Sequence, residues 1–352
     1  MSNERFLAEV LEQPQALQRT VASFSEAAGE LSRVADRIQR GSFDRVVLTG
    51  MGSSLFGCHS LALSLTASLP IPVTVWDASE LVHQSPGALT GRTLLVAVSQ
   101  SGESAEVVEV TRLSQRPGAA IAITNGPENT LAGWADVSLC TNAGAEEAVS
   151  SKTYTATLAA QALAAAALGQ PDGGQIAGQI LALAERLADY LTDWQSRIEP
   201  ISDFLGPCET LAYLGRGHSL STACTAALIT EESSKVFCMG VSAAQFRHGP
   251  IELARPGLKV VIFAGSGPTR RLNENFSGEL AGHGAQVVLI TAQPQAGLDS
   301  ANLLQSAIPT APASLLPILE IVPIQLLTIP LAEARGFRPA TFQHTTKVTD
   351  RE

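Results

Sequence analysis

Two short segments rich in serine and glycine, Gly50–Ser54 and Ser99–Ser104, are the first candidates for chemistry. Each follows a run of aliphatic and β-branched residues that predicts a buried strand. Serine hydroxyls, together with the free amides of a helix's first turn, can surround a phosphate group without any lysine. Ser and Gly are also common turn and cap residues. We favour phosphate binding because the two segments follow equivalent strand ends.

Patterns that indicate other small-molecule or metal sites are missing from the sequence. Neither segment matches G-x-x-x-x-G-K-S/T or G-x-G-x-x-G, so nucleotide binding is disfavoured. The five cysteines are widely spaced, odd in number and without a C-x-x-C pair. Buried thiols in a reducing compartment are therefore expected rather than disulfides or a metal site. The sequence predicts neither a metal nor a cofactor.

The elements that would position these segments form a regular series. Short apolar runs alternate with helix-length spacers, an order typical of a parallel sheet covered by helices on both faces. In the first half the runs are Arg45–Thr49, Pro72–Trp76, Thr93–Val98 and Ala119–Thr124.

The same series recurs in the second half of the chain. Gly50 and Ser99 are 49 residues apart, and so are Gly215 and Ala264. This spacing predicts two copies of one α/β domain. Because Ala264 stands where the first copy has Ser99, the sequence suggests one phosphate site per chain, in the first copy.

Bulk composition excludes several classes of protein. Of 352 residues, 45% are apolar and 16% are charged, which supports large buried cores and argues against disorder. The formal charge of −10, with no clustered basic face, disfavours nucleic-acid binding. The N-terminus has no signal-peptide core, and the apolar stretches Tyr154–Gly169 and Leu315–Ala334 are expected to be buried helices. We expect a cytoplasmic protein without a membrane partner.

These features resemble the sugar isomerase (SIS) family over nearly the whole chain. The resemblance extends to the isomerase half of glucosamine-6-phosphate synthase and to stand-alone glucosamine-6-phosphate deaminases. It implies an α/β fold with two tandem flavodoxin-like SIS domains, each a parallel sheet with helices on both faces. The matching segments are Gly50–Ser54, Ala78–Glu80, Ser99–Ser104, Val149–Thr155, Leu214–Gly217, Glu232, Gln245–Pro250, Val322–Leu327 and Lys347–Thr349.

The domain boundaries are predicted from the repeat and the resemblance together. N-terminal helices (1–40) precede the first SIS domain (41–170). A linker helix (171–199) leads to the second domain (200–335). It follows the break at Gln170–Gly174, and its apolar residues repeat along one helical face over Ile176–Ile198. A tail (336–352) would close the active site.

The resemblance also implies roles for individual residues. Ser53 and Ser150 would approach the sugar. Glu232 would carry a proton between carbons 1 and 2, His248 would open the ring, and Lys347 would meet the carbonyl carbon as a Schiff base or positioning cation. In this family the histidine comes from the neighbouring subunit, so a homodimer is implied. The residues expected to hold the sugar phosphate are Ser54, Ser99, Gln100, Ser101 and Ser104.

The two acid–base candidates, Glu232 and His248, could also have purely structural or solvent-exposed roles. Each such group typically contributes ~10²–10⁴-fold to a rate. A lone helix glutamate is usually solvated, and Glu231, about 100° around the helix from Glu232, is the natural candidate for that role. Gly249 and Pro250 predict a turn that exposes the His248 imidazole, a group that can give and take the proton needed for ring opening. A purely structural turn histidine is the alternative.

Departures from the synthase favour deamination. Ile229 stands where the synthase has a lysine, and the Lys347–Thr349 ending looks more like the deaminase branch. A separate departure, a segment before Lys152 that is one residue shorter, bears only on the place of Ser150. The chain also begins at the helix before the isomerase half, which predicts no glutaminase domain. The expected substrate is an amino sugar 6-phosphate, with glucosamine 6-phosphate giving fructose 6-phosphate and ammonia. The alternatives are a plain aldose–ketose phosphosugar isomerase, an aminotransferase-type enzyme without the glutaminase domain, and a non-catalytic sugar-phosphate sensor.

Overall fold

Ten strands form two five-stranded parallel sheets in the computed structural model, which describes residues 2–169, 173–349 and 351. The chain opens with helices α1 (Ser2–Leu11) and α2 (Gln13–Gln39), as the apolar spacing of residues 5–40 predicts. Most of the predicted break at Gln170–Gly174 lies outside the described residues.

The first sheet and its helices follow the predicted alternation. All four predicted strands differ from the observed ones by at most one residue at either end, and Thr93–Val98 and Ala119–Thr124 match fully. The elements are β1 (Arg45–Gly50), α3 (Gly52–Ser68), β2 (Val73–Asp77), α4 (Ala78–His83), β3 (Thr93–Val98), α5 (Ala105–Arg112), β4 (Ala119–Thr124), α6 (Thr130–Trp134), β5 (Val137–Cys140) and α7 (Lys152–Gly169).

The second half repeats this series after two connecting helices. The predicted single helix over residues 176–198 is in fact two helices, because Asp193 adopts the non-helical angles φ −127° and ψ 51°. The elements are α8 (Gly173–Thr192), α9 (Trp194–Leu205), β6 (Thr210–Gly215), α10 (Ser219–Ser234), β7 (Phe237–Ser242), α11 (Ala243–Phe246), β8 (Lys259–Phe263), α12 (Arg270–Gly282), β9 (Gln286–Thr291), β10 (Leu303–Ala307), α13 (Leu316–Glu320) and α14 (Val322–Ala334).

The two sheets share one topology. The first has the order β2-β1-β3-β4-β5 and the second has the order β7-β6-β8-β9-β10, which is the same order counted within each half. This is the flavodoxin-like arrangement, in which the strand order reverses between the first and third strands. The predicted duplication of one α/β domain is confirmed.

Helices cover both faces of the first sheet. On one face, side chains of α2, α3 and α7 pack with β-branched strand residues such as Val46 and Val96. On the other face, α4, α5 and α6 pack with Val47, Leu95 and Ala122. Burial on both faces explains why β3 and β4 are continuous apolar runs without alternation.

The chain divides into two compact units, each containing one of the two sheets. The N-terminal residues belong to the unit of the second sheet, and the C-terminal residues belong to the unit of the first sheet. One contains the first sheet and comprises Glu12–Glu146, Lys152–Ala184 and His344–Glu352. The other contains the second sheet and comprises Met1–Leu11, Glu147–Ser151 and Glu185–Gln343. The last residues of the chain therefore belong to the first unit.

One apolar segment has the length and composition of a membrane span. Residues Leu316–Ala334 meet both criteria, but 89% of the most apolar window is buried inside the protein. The expectation that this stretch is a buried helix is confirmed. The five cysteines are all free thiols, and three of them are buried.

Candidate active site

The two serine–glycine segments lie side by side at the carboxyl edge of the first sheet. Gly50, the last residue of β1, is in register with Val98, the last residue of β3. A Cβ atom on Gly50 would lie 2.7 Å from the Val98 carbonyl oxygen, so only glycine allows this approach. The strand order reverses between β1 and β3, and ligands of open α/β sheets bind at such a switch point.

The Ser99–Ser104 loop is a tight turn held by its own hydroxyl groups. The Gly102 amide donates to Ser99 Oγ at 3.1 Å, and the Glu103 amide donates to Ser101 Oγ at 3.1 Å. Gly102 has a φ of +68°, and a Cβ atom there would lie 1.9 Å from Asn129 Oδ1. Glycine is therefore required at this position for both conformation and space.

The hydroxyl groups of the loop remain able to donate to an anion. Ser99 and Ser101 accept hydrogen bonds from backbone amides through oxygen, and these bonds do not use their O–H donors. Ser104 precedes α5 as its N-cap residue, yet its hydroxyl makes no capping bond and lies 3.3 Å from Ser99 Oγ. The hydrogen bonds that form the turn therefore do not explain the presence of all three serine hydroxyls in this loop.

The other predicted phosphate ligands frame the same edge. Ser53 and Ser54 lie in the first turn of α3 and are half-buried. Gln100 is also half-buried, and its carbonyl accepts the Asn125 amide at 2.9 Å. Glu103 turns away from the loop, because its carboxylate accepts from the Thr130 amide at 2.6 Å and caps α6. Hydroxyl and amide groups thus dominate the edge.

Replacing both Ser99 and Ser101 by alanine should weaken phosphorylated ligands while free sugars are unaffected. Each lost neutral hydrogen bond should cost ~0.5–1.5 kcal/mol, and more where the phosphate is the acceptor. Calorimetric titration with a sugar phosphate and with the same sugar unphosphorylated measures the difference. Equal losses for both ligands would mean that the loop only shapes the fold.

Lys347, near the end of the chain, is held by a buried carboxylate of the same unit. Its Nζ lies 2.5 Å from Glu146 Oε2, and the side chains of Lys347 and Glu146 are 19% and 0% exposed. Thr153 also binds this carboxylate, since its amide and hydroxyl donate to Glu146 at 3.0 and 2.6 Å. Burial by itself would raise the pKa of Glu146, but the Lys347 charge and these hydrogen bonds hold it below its ordinary value.

The tail that carries Lys347 is also bonded to α5, the helix that follows the Ser99–Ser104 loop. The Ala105 amide, in the first turn of α5, donates to the Thr349 carbonyl at 3.1 Å. Lys347 and Ser104, which are far apart in the sequence, thus lie at the same edge of one unit. Sequence reasoning from a tail position alone expects a solvated lysine.

The two adjacent glutamates of α10 have different surroundings. Glu231 Oε1 accepts the Cys238 amide at 3.2 Å and so secures the start of β7. Burial raises the pKa of the Glu231 carboxyl, and this hydrogen bond opposes the rise. The expectation of a solvated Glu231 is therefore wrong, because it is half-buried and structural. Glu232 is half-buried near the C-terminal end of α10, beside Lys235.

His248 lies in an exposed turn of the second unit, as the sequence predicts. Its amide donates to the Gln245 carbonyl at 2.9 Å, and Gly249 follows with a φ of +134°. Next to it, Arg247 pairs with Glu279 and stacks 4.2 Å from the Phe276 ring centroid. The turn is thereby fixed while the imidazole is presented outward.

The predicted site residues are divided between the two units. The first unit contains Lys347 and all the predicted phosphate ligands, together with Ser53. Ser150, Glu232 and His248 belong to the second unit, and their place at the sugar stays a proposal. Among the described residues, no cluster of three or more His, Cys, Asp or Glu side chains could hold a metal ion.

Sequence reasoning missed two buried carboxylates. Glu146 follows β5 at the carboxyl edge of the first sheet, a position that could have marked it. Glu320 lies within an apolar run, is fully buried and accepts hydrogen bonds from Ser219 and Thr222 at 2.8 and 2.9 Å. A charged residue inside an otherwise apolar helix was the available signal.

Comparison with known proteins agrees with this geometry. The family model of the SIS domain matches residues 42–167 and again 204–333, which together cover most of the chain. The chain belongs to the SIS-domain family. The two matched segments coincide with the two sheets, so the fold expected from the resemblance is confirmed.

Individual relatives and solved structures share the fold over almost the whole chain. Glutamine–fructose-6-phosphate aminotransferase [isomerizing] of Pyrococcus horikoshii is 32% identical over 95% of this chain and 55% of its own length. The SIS chain thus spans about half the length of this curated relative. The C-terminal domain of glucosamine-fructose-6-phosphate aminotransferase from Francisella tularensis has a TM-score of 0.79 at 22% identity, covering 95% of this chain and 96% of its own. Glucosamine-6-phosphate deaminase from Thermotoga maritima has a TM-score of 0.70 at 22% identity, with 94% and 99% covered.

Proposed function

We propose that this protein is a phosphosugar isomerase-type enzyme that moves a proton between carbons 1 and 2 of an amino sugar 6-phosphate. The observation that carries the proposal is the edge of the first sheet, where a hydroxyl-lined loop and the paired Lys347 come together. A binding protein needs the loop alone. A lysine held by a buried glutamate beside that loop supports chemistry on the bound sugar. The name of the Pyrococcus relative, an isomerizing aminotransferase acting on fructose 6-phosphate, is consistent with this class.

The proposed reaction on glucosamine 6-phosphate proceeds through the open-chain sugar. His248 moves the proton needed to open the ring. Glu232 removes the carbon-2 proton, giving an enolamine, and returns it to carbon 1, which leaves an imine at carbon 2. Water adds to that imine, and the carbon–nitrogen bond breaks to give fructose 6-phosphate and ammonia. Both proton transfers are within the reach of ordinary side-chain acid–base catalysis.

For Lys347 we propose the role of a positioning cation. A Schiff base requires an uncharged amine, whereas Nζ is bonded to the Glu146 carboxylate at 2.5 Å as a cation. A fixed ammonium group can stabilise negative charge that develops on the sugar oxygen during proton transfer. The tail bearing it would close over the substrate and exclude water.

Deamination is the finer part of the proposal. Ile229, where the synthase has a lysine, is fully buried and presents no cation to a substrate. The Lys347–Thr349 ending resembles the deaminase branch. Deaminases must release ammonia. Without a lysine near the amino group, protonation of that nitrogen meets less charge repulsion, which favours its departure from the sugar.

The products formed from glucosamine 6-phosphate test this proposal. We expect fructose 6-phosphate and ammonia in equal amounts, without added metal, measured by coupled assay of both products. A panel of amino-sugar 6-phosphate stereoisomers identifies the preferred substrate. Turnover of fructose 6-phosphate to glucose 6-phosphate, with no ammonia from any hexosamine phosphate, would exclude deamination and leave the aldose–ketose isomerase.

We further propose that the enzyme is a cytoplasmic homodimer in which His248 acts across the interface. The imidazole is exposed on a rigid turn, which suits a contribution to a neighbouring subunit. Mixing a Glu232→Gln variant with a His248→Ala variant should restore activity, because mixed dimers contain one intact pair. No recovery after subunit exchange would place the histidine in its own subunit.

A further inference from the structure

The second sheet carries a loop at the position equivalent to the Ser99–Ser104 loop, with one glycine in the same conformation. Ala264–Thr269 follows β8, and its Gly267 has a φ of +67°, against +68° for Gly102. The Ala264 amide donates to the carbonyl of the next strand at 2.9 Å, as the Ser99 amide does at 3.1 Å. Two hydroxyl positions are also retained, since Ser266 and Thr269 occupy the places of Ser101 and Ser104.

Buried hydrogen-bond donors at this edge of the second sheet bind a carboxylate of the chain itself. Glu320 accepts from Ser219 Oγ at 2.8 Å, from Thr222 Oγ1 at 2.9 Å and from the Gly265 amide. Ser219 corresponds in position to Ser54, and Gly265 to Gln100. Donors at two positions equivalent to the proposed phosphate ligands of the first domain thus bind a side-chain carboxylate in the second domain.

Outside Glu320, a cavity of about 250 Å³ opens at the same edge. Its lining includes Ser266, Arg270, Arg271, Gln293 and Thr310, and no acidic side chain of the described residues lines it. The first loop has Ala105 and Glu106 at the positions of the two arginines. The second loop is therefore far more basic than the first.

The two arginines have different partners. Arg270 lies 3.2 Å from the buried Glu274, so part of its charge is already balanced. Arg271 is exposed and enters no ion pair within the described part of the chain. Burial raises the pKa of Glu320 to about 7, with its hydrogen bonds opposing the rise, and both carboxylate oxygens already accept hydrogen bonds from side chains that do not line the cavity. The cavity is consequently short of negative charge.

We propose that this cavity is a second anion site that binds the phosphate group of a phosphorylated small molecule, with Arg271 and the Ser266–Gly267 loop as its main contacts. Arginine is suited to this role because its planar guanidinium donates two parallel hydrogen bonds to phosphate oxygens. The first-turn amides of the following helix add to the attraction. A chain with one catalytic site and a second site for a phosphorylated metabolite could respond to the concentration of that metabolite.

The number of sites per chain tests the proposal. Glucitol 6-phosphate is a suitable probe because it has no carbonyl group to react. Calorimetric titration of the full chain should give two sites, and Arg271→Gln or Ser266→Ala should weaken one of them, the arginine variant about tenfold or more. The Ser99→Ala, Ser101→Ala variant should weaken only the other. Arg33→Gln, which removes an exposed arginine from α2, is the matched charge control and should change neither site.

The outcomes separate this site from the proposed catalytic one. A site that responds to Arg271→Gln supports the proposal even if no hexosamine phosphate is turned over. Comparable binding of inorganic phosphate would identify phosphate itself as the ligand, whereas tighter glucitol 6-phosphate would show that the sugar contributes. One site per chain, lost in the serine variant and unaffected by Arg271→Gln and Ser266→Ala, would overturn the proposal. Equal weakening by Arg33→Gln would also overturn it.

Discussion

Glu232→Gln should retain the fold and the affinity for sugar phosphate but lower exchange of the carbon-2 proton with solvent by ~10²–10⁴-fold. The substitution keeps the size and shape of the side chain and removes only its ability to take a proton. NMR of an amino sugar 6-phosphate in deuterated water measures the exchange directly. Because exchange precedes loss of nitrogen, the measurement does not depend on which product is finally released. Near-normal exchange in this variant would remove Glu232 from the mechanism.

Glu231→Gln is the matched control for this experiment. The two glutamates are adjacent on α10, and both are half-buried. The Glu231 carboxylate is bonded to the Cys238 amide, and a glutamine oxygen can accept the same bond. Exchange in this variant should therefore remain near the wild-type rate. A large loss in both variants would indicate that the end of α10 has been disturbed.

The sheets were predictable because their local and global signals agree. β3 and β4 are continuous apolar runs bounded by turn residues, and a strand buried on both faces requires such a run. The equal spacing from Gly50 to Ser99 and from Gly215 to Ala264 predicted the duplication, and the identical strand orders confirm it. The loop at the β3 end was predictable for the same reason, since its position follows from the sheet.

The less predictable features depend on contacts between distant parts of the chain. The periodicity of residues 176–198 continues through Asp193, so the break there had no counterpart in the apolar pattern. The role of Glu146 follows from its ion pair with Lys347, which is remote in sequence. The role of Glu320 follows from its hydrogen bonds with Ser219 and Thr222, which are also remote. The helix, strand and turn propensities of the neighbouring residues do not predict such contacts between distant parts of the chain. A buried carboxylate must find donors wherever the fold brings them.

Glu146 has two separate tasks that a substitution can distinguish. Its carboxylate accepts the amide and hydroxyl of Thr153, which lies in the first turn of α7, and so caps that helix. It also holds the Lys347 ammonium. A glutamine at position 146 can still accept the Thr153 amide through its oxygen, but its NH2 group, in the place of Oε2, cannot accept from the Lys347 ammonium. The helix should therefore persist while the tail is released.

Glu146→Gln should lower kcat/KM by about ten- to a hundredfold, because a hydrogen bond to a charged group is worth about 1.5–3 kcal/mol. Mass spectrometry after brief trypsin treatment should show faster cleavage at Lys347. The control is Glu147→Gln, which removes an exposed neighbouring carboxylate paired with Arg5 and should behave as wild type.

The pH dependence of stability gives an independent check. Since the native pKa of Glu146 lies below its ordinary 4.5, its contribution to stability is fully present above 4.5 and is lost as the pH falls through the native pKa. Glu146→Gln should remove this acid-side loss from the free energy of unfolding. Unchanged catalysis and cleavage in this variant would show that Glu146 does not position Lys347.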